Sequence, residues 1–289
     1  LEGQAQLTSE RTEAAVDFID RNKENPFFLY VQHPMPHTPI AVSDKFKGKS
    51  EQGLYGDVIM EIDWSVGEII KKLKEHKIYD NTLFIFTSDN GPWLNFGNHA
   101  GSALPLREGK GTAWEGGQRE PTVVSFPNLI KGEQTIETPM MAIDILPTIA
   151  EITGAELPKN TIDGKSILKI LTGEDKQSPQ EAYFFYYKSN ELHGVRYKDW
   201  KLYFPHSYRT LNGREGGKDG YPVKYEMNTI EKIELYDLKN DISETNDVAA
   251  QHPEVVEKIK VLANEMRSKL GDKLYNIEGT ENRPVGRIN

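Results

Sequence analysis

Apolar positions three and four residues apart mark several helices. Ala14, Ala15, Phe18 and Ile19 recur at helical spacing in Thr8–Asn22, with Thr8 or Ser9 as the cap and Asn25-Pro26 as the stop. Val58, Ile62, Val66, Ile69, Ile70 and Leu73 line one face of a long helix over Gly53–Lys77. A further helix is predicted over Ala142–Ile152, with Asp144 and Pro147 near its start, and a last amphipathic one over Pro253–Leu270. Phe27–Val31 is short, aromatic and β-branched between turn formers and predicts a buried strand. Thr82–Thr87 and Pro121–Phe126 read as strands too. Strand–loop–helix alternation predicts an α/β fold with a largely parallel sheet, whose active site lies off the carboxyl ends of the strands. Composition shifts over residues 172–180, read as a linker. Beyond it, Ala182–Tyr187, Gly194–Tyr197, Trp200–Phe204 and Glu234–Leu238 predict antiparallel strands, with a turn at Lys198-Asp199 and a glycine-rich excursion over Gly213–Gly220. The expected division is residues 1–175 and 176–289.

The 289 residues suffice for one large domain or two ordinary ones, and 37% hydrophobic against 27% charged residues gives material for a core. Thirty-five Lys and Arg against 44 Asp and Glu leave a net charge of −9, which argues against a general nucleic-acid binder. A local cationic pocket can still take an anion. There is no cysteine, which excludes disulfides, zinc-thiolate sites and thiol nucleophiles. No run of 18 apolar residues reads as a membrane span, and the polar first ten residues do not read as a signal peptide. The chain opens on Leu1 without Met, which reads as a processed product or a fragment.

Three clusters carry candidate chemistry. Asp89-Asn90 ends a predicted strand; carboxylate and amide oxygens are hard ligands suited to Ca²⁺ or Mg²⁺, although Asp-Asn-Gly is equally a common turn. Gly109-Lys110-Gly111, running on to Gly116-Gly117, surrounds one ammonium with backbone that an anion can approach, or is a flexible loop. Its spacing is not that of a phosphate-binding P-loop. His33 and His37 lie in a loop with three prolines in six residues, placed for acid–base work or simply exposed there.

Read in order, these strings resemble the formylglycine-dependent sulfatases, the arylsulfatase branch of the alkaline-phosphatase-like superfamily. Phe-Phe-Leu-Tyr-Val is followed by His-x-x-x-His-x-Pro, then Phe-Ile-Phe-Thr-Ser-Asp-Asn-Gly, then Gly-Lys-Gly-Thr-x-Trp-Glu-Gly-Gly-x-Arg-Glu-Pro. The likeness runs from about Thr8 to Leu235–Leu238. It implies an α/β fold: the C-terminal part of a sulfatase domain with a mostly parallel sheet flanked by helices, plus a small α+β subdomain with an antiparallel sheet. It implies Asp89 and Asn90 as metal ligands, with Ca²⁺ usual and Mg²⁺ an alternative. Lys110 is implied on the sulfate and leaving-group oxygens, and His37 on the scissile oxygen. His99, Arg107, His206 and Arg209 are implied as lining the substrate pocket, or as ordinary loop residues. Glu115 and Arg119 read as a structural pair. The substrate implied is a sulfated small molecule or glycan, and the location periplasmic or secreted.

The family's nucleophile is a formylglycine made from Cys or Ser in Cys/Ser-x-Pro-x-Arg, and this chain has neither form. Ser102 precedes Pro105 and Arg107 with one residue too many, and follows the Asp-Asn pair instead of preceding it. The expectation is therefore the C-terminal portion of a sulfatase, with the formylglycine in a missing N-terminal segment and no sulfate-ester turnover by this chain alone. A truncated sheet should expose an unpaired edge, covered by that segment or by a second copy in a homo-oligomer. Two other readings stay open: a phosphomonoester or phosphonate hydrolase of the same superfamily, and a non-catalytic binder of sulfated glycans.

Overall fold

A computed structural model describes residues 3–283 of the chain. In chain order the elements are α1 (Leu7–Asn22), α2 (Gly53–Glu75), β1 (Phe84–Phe86), α3 (Glu115–Gln118), β2 (Val123–Ser125), α4 (Ile145–Thr153) and α5 (Leu168–Thr172). Then come β3 (Tyr183–Tyr187), β4 (Glu191–Tyr197), β5 (Trp200–Tyr203), β6 (His206–Thr210), β7 (Glu226–Ile230), β8 (Glu234–Asp237), α6 (Pro253–Leu270), β9 (Gly271–Asp272) and β10 (Ile277–Glu278). The chain gathers into two compact units that interleave along the sequence. Of the described residues, one takes in those up to Ser102, then Glu120–Gly132 and Leu211–Glu226; the other has Ala103–Arg119, Glu133–Thr210 and those from Met227 to Arg283.

In the first unit α1 and α2 pack through Ala15, Ile19, Ile69 and Leu73. Polar ties fix them: Thr12 donates to Ser65 at 2.6 Å, and Ser9 donates to the buried Glu61 at 3.0 Å. Phe27, Leu29, Val31 and Phe84 lie against this helix pair. Phe27–Val31 departs from the expected buried strand. It is extended but joins no ladder, and Phe28 and Tyr30 are 73% and 72% exposed on its other face. β1 pairs antiparallel with β2. The parallel pairing expected of the first half is not among the ladders formed by the described residues, since Phe27–Val31 has no hydrogen-bonded neighbour there.

In the second unit β3, β4, β5 and β8 form an antiparallel sheet in that order. Alternation sorts its two faces. Leu192, Val195, Leu202, Phe204 and Leu235 pack on Ile259 and Ala263 of α6. Tyr183, Phe185, Tyr203 and Tyr236 cluster on the opposite face with Ala113 and the fully buried Trp114. The stretch carrying Lys110 thus closes the second face of a sheet built from residues 183–237. β6 and β7 pair as a further ribbon that the sequence pattern did not announce.

Candidate active site

Four of the sequence-predicted residues belong to the first unit. His37 sits in the loop after Phe27–Val31, exposed at its rim. Its Nδ1 lies 2.7 Å from the Thr38 carbonyl, an oxygen that can only accept. Nδ1 therefore carries a proton and donates it to that carbonyl, which leaves Nε2 as the nitrogen turned to other partners. The Trp93 ring flanks His37 at 5.3 Å, and Phe96 flanks Trp93 at 4.8 Å. His33 has a different task. Its Nε2 is 3.2 Å from Ser65 Oγ, and burial, then the charge of Arg11, pulls its pKa down. It ties the loop to α2.

Asp89 and Asn90 follow β1, and Asn90 Nδ2 donates to Asp89 Oδ1 at 2.5 Å. The sequence reading missed Glu120 nearby. Its Oε1 is buried with no hydrogen-bond partner, and burial, then the Asp89 charge, pushes its pKa up to about 7. Glu120 stands in the Arg-Glu-Pro end of the Gly-Lys-Gly-Thr string, but its closeness to Asp89, far away in sequence, is visible only in the fold. Two carboxylates and an amide oxygen are hard donors that suit Ca²⁺ or Mg²⁺, and a divalent ion would answer the crowded charge. Among the described residues no group of three or more His, Asp or Glu gathers at metal-binding distance, so the donor set fits in kind but is partial in number.

His99 ends a 3₁₀ turn, Leu94–His99. The glycine-rich excursion is pinned to this turn: Gly217 N–H donates to the Asn95 carbonyl at 2.9 Å, and Asn98 donates to Asp219 at 3.0 Å. Gly97, at φ 57°, lies so close to Gly217 that a Cβ would collide with its carbonyl.

Lys110, Arg107, His206 and Arg209 belong to the second unit. Lys110 lies between Gly109 and Gly111 in a tight loop with positive φ at Glu108 (58°) and Gly111 (86°). Gly116 N–H donates to the Arg107 carbonyl at 2.8 Å, and a Cβ at Gly116 or Gly117 would strike carbonyls of residues 107–112. The glycines are what let the loop fold back on itself. Arg209 donates to the Lys110 carbonyl from Nε at 2.9 Å and from Nη2. The Arg107 guanidinium lies 3.7 Å from the Trp114 ring centroid and donates to the Glu244 carbonyl at 2.8 Å and to Tyr208 at 3.3 Å. Glu115 is buried and accepts from Lys201 at 2.6 Å and Arg196 at 3.0 Å. Arg119, its expected partner, stands at 3.9 Å. Burial alone would push the Glu115 carboxyl up, but Lys201 and Arg196 hold it below its usual value.

His206 is 4% exposed and stacks on His193 at 3.8 Å, with its Nδ1 2.6 Å from the Phe204 carbonyl. Burial, then the neighbouring His193, pulls its pKa down to about 4. Lys188 adds to the depression, while Phe204 and Glu191 oppose it. The folded state holds this ring neutral while the unfolded chain protonates it near 6.5. Folding stability is then full above pH 6.5 and drains as pH falls towards 4, by on the order of 3 kcal/mol. Melting curves between pH 4 and 7 should show this slope, and His206→Gln should flatten it. An unchanged slope refutes the assignment.

The comparisons agree with these motifs. The family model described as Sulfatase matches residues 3–155. A model for the C-terminal region of aryl-sulfatase matches residues 178–285, and one for the N-sulphoglucosamine sulphohydrolase C-terminal region matches 109–213. Human steryl-sulfatase is 38% identical over 210 residues, covering 68% of this chain and 36% of that protein. Dog arylsulfatase H is 34% identical over 89% of this chain and 49% of its own length. The N-acetylgalactosamine-6-O-sulfatase of Bacteroides thetaiotaomicron is 33% identical over 89% of this chain and 50% of its own length. A solved structure from work on glycosaminoglycan metabolism by that bacterium superposes with a TM-score of 0.77 at 32% identity, covering 92% of this chain and 55% of the other. A sulfatase from Pseudoalteromonas sp. gives 0.78 at 26% identity, covering 91% and 53%. The chain spans about half the length of the curated relatives it matches. It belongs to the sulfatase family, on the alkaline-phosphatase-like fold.

Proposed function

We propose that the complete protein is a sulfuric ester hydrolase that releases inorganic sulfate, and that this chain supplies its leaving-group and part of its metal-binding apparatus. The observation that carries this reading is the Lys110 loop, folded tightly by glycines and held at its carbonyl, within a stretch matching sulfatase models. Sulfuryl transfer builds negative charge on the sulfate oxygens and the bridging oxygen, which a fixed ammonium answers. His37 holds a proton acceptor at Nε2 and, once protonated there, hands the proton to the departing alcohol. Asp89 and Asn90 would hold Ca²⁺, or Mg²⁺, with Glu120 a further oxygen donor; the ion supplies Lewis acidity at the sulfate. The nucleophile is a formylglycine carried by a preceding segment, which supplies covalent chemistry when present. His99 is read as lining the substrate pocket. Arg107 and His206, engaged as described, are read as supports of the fold.

The substrate class we favour is a sulfated sugar, supported by the similarity to an N-acetylgalactosamine-6-O-sulfatase. No described helix is long and apolar enough to cross a membrane, and a periplasmic or secreted location is proposed from the family likeness. Residues 1–175 would be the catalytic-domain portion and 176–289 the C-terminal subdomain. The uncovered face of Phe28 and Tyr30 is proposed to receive the preceding segment. The test is direct. The complete protein should turn over an aryl sulfate and a 6-sulfated N-acetylgalactosamine, and lose that turnover on chelation. The 289-residue chain alone should release no sulfate. Faster turnover of an aryl phosphate than of the sulfate would favour a phosphoesterase instead.

A further inference from the structure

The structure assigns Arg209 as a positioning residue for Lys110, acting through the lysine's main chain and not through substrate. The inference rests on the reading of Lys110 as a catalytic group.

Arg209 comes from β6, ninety-nine residues after the lysine it touches. Two of its N–H donors, on Nε and Nη2, converge on the single carbonyl oxygen of Lys110. A planar guanidinium with two donors on one acceptor fixes direction as well as distance, which a lysine ammonium cannot copy. The neighbouring residue is shaped for this grip. Gly111 stands at φ 86°, and a Cβ there would run into the Arg209 guanidinium. The loop is also tied at its far end. Tyr187 donates its hydroxyl to the Thr112 carbonyl at 2.8 Å, and Glu115 N–H donates to Glu244 at 2.8 Å. With Arg209 on one side and Tyr187 and Glu244 on the other, the backbone of 110–115 has little freedom, and the base of the Lys110 side chain is set. A flexible four-carbon stem needs such a fixed root if its ammonium is to meet a transition state repeatedly in one place.

The test uses the complete protein, with p-nitrophenyl sulfate as the probe. Arg209→Ala should lower kcat by about 100-fold, the scale of a misplacement of about 1 Å, with KM changed by less than about threefold. Arg209→Lys should recover little of this loss, whereas added guanidinium should restore part of the Arg209→Ala rate. Amide exchange should rise in the peptide spanning 108–113 and stay unchanged in α6, which separates a local release from general unfolding. Gly111→Ala should be harmful alone and only partly relieved on top of Arg209→Ala, which removes the clash but not the backbone strain at φ 86°. A raised KM with kcat preserved would show that Arg209 binds substrate directly and would overturn the proposal. So would an unchanged exchange pattern, or local release with full kcat. Lys110→Ala, run in parallel, separates the two ideas: if that variant keeps full kcat, the catalytic reading of the lysine fails, whereas its loss beside an unaffected Arg209→Ala fails the positioning inference alone.

Discussion

Lys110→Ala in the complete protein is expected, on the role proposed for the lysine, to lower kcat by about 10²–10³-fold, the loss seen when one preorganised donor to a developing oxyanion is removed. The reason lies in when the charge appears. A sulfate monoester carries one negative charge in the ground state, spread over its oxygens, and the bridging oxygen gains charge only as its bond to sulfur breaks. An ammonium fixed near that oxygen stabilises the transition state more than the substrate, so kcat falls more than KM rises. The substitution removes only the side chain. The Lys110 carbonyl remains for Arg209, and the glycine packing beneath it is untouched. The defect that tests the role is therefore the kinetic one, read on protein that is still folded. Lys110→Arg should not rescue it, because a wide planar fork does not occupy the place of a compact ammonium. Steady-state rates on an aryl sulfate decide the matter: a Lys110→Ala enzyme within about threefold of the parent kcat removes the lysine from the mechanism.

The largest expected loss of stability comes from Glu115→Ala. Glu115 and Lys201 are 3% and 0% exposed at their side chains and stand 2.6 Å apart, with Arg196 on the second carboxylate oxygen at 3.0 Å. The pair is hemmed in by aromatic rings, and the Lys201 ammonium lies 4.5 Å from the Phe185 ring centroid. Removing the carboxylate strands a buried ammonium, which costs about 3–5 kcal/mol. Glu244 does not replace it. Burial pushes its carboxyl upward in pKa, and it already accepts from the Tyr203 hydroxyl at 2.5 Å and from the Glu115 amide. At this chain length the loss corresponds to a fall in Tm of roughly 10 °C. Pairing Glu115→Ala with Lys201→Met should recover much of it, because the double variant leaves no uncompensated lysine. Thermal melts of the four proteins in the cycle give the answer. Additive losses would mean that the two side chains do not act as a pair.

Much of the architecture could be read from residue order. The long helices α1, α2 and α6 announce themselves by apolar spacing, and the strands of the second sheet by aromatic runs between turn formers. What escaped depends on partners remote in sequence. Phe27–Val31 has the composition of a buried strand, yet burial needs a covering layer and a ladder needs a neighbour, and neither is a property of five residues. β6 and β7 are half polar and exposed along β7, so no period stands out. The site shows the same division. Asp89, Asn90, His37 and Lys110 were singled out by short strings. Arg107 and Arg209 looked like pocket cations, and only the fold reveals Trp114 and the Lys110 carbonyl beside them. His206 gave no sign that it would stack on His193, thirteen residues earlier.

The packing of Trp114 against the sheet of residues 183–237 has a consequence for recombination among sulfatases. An exchange at the visible linker near residue 175 would transplant Tyr187, Tyr203, Arg209 and Glu244 while leaving behind the segment 107–118 that they hold. Every such hybrid would join a foreign lysine loop to a mismatched bed. A workable crossover must carry residues 103–119 together with the C-terminal region, as two inserts moved at once. The lysine loop and the sheet that holds it would then travel between homologues as one inherited block.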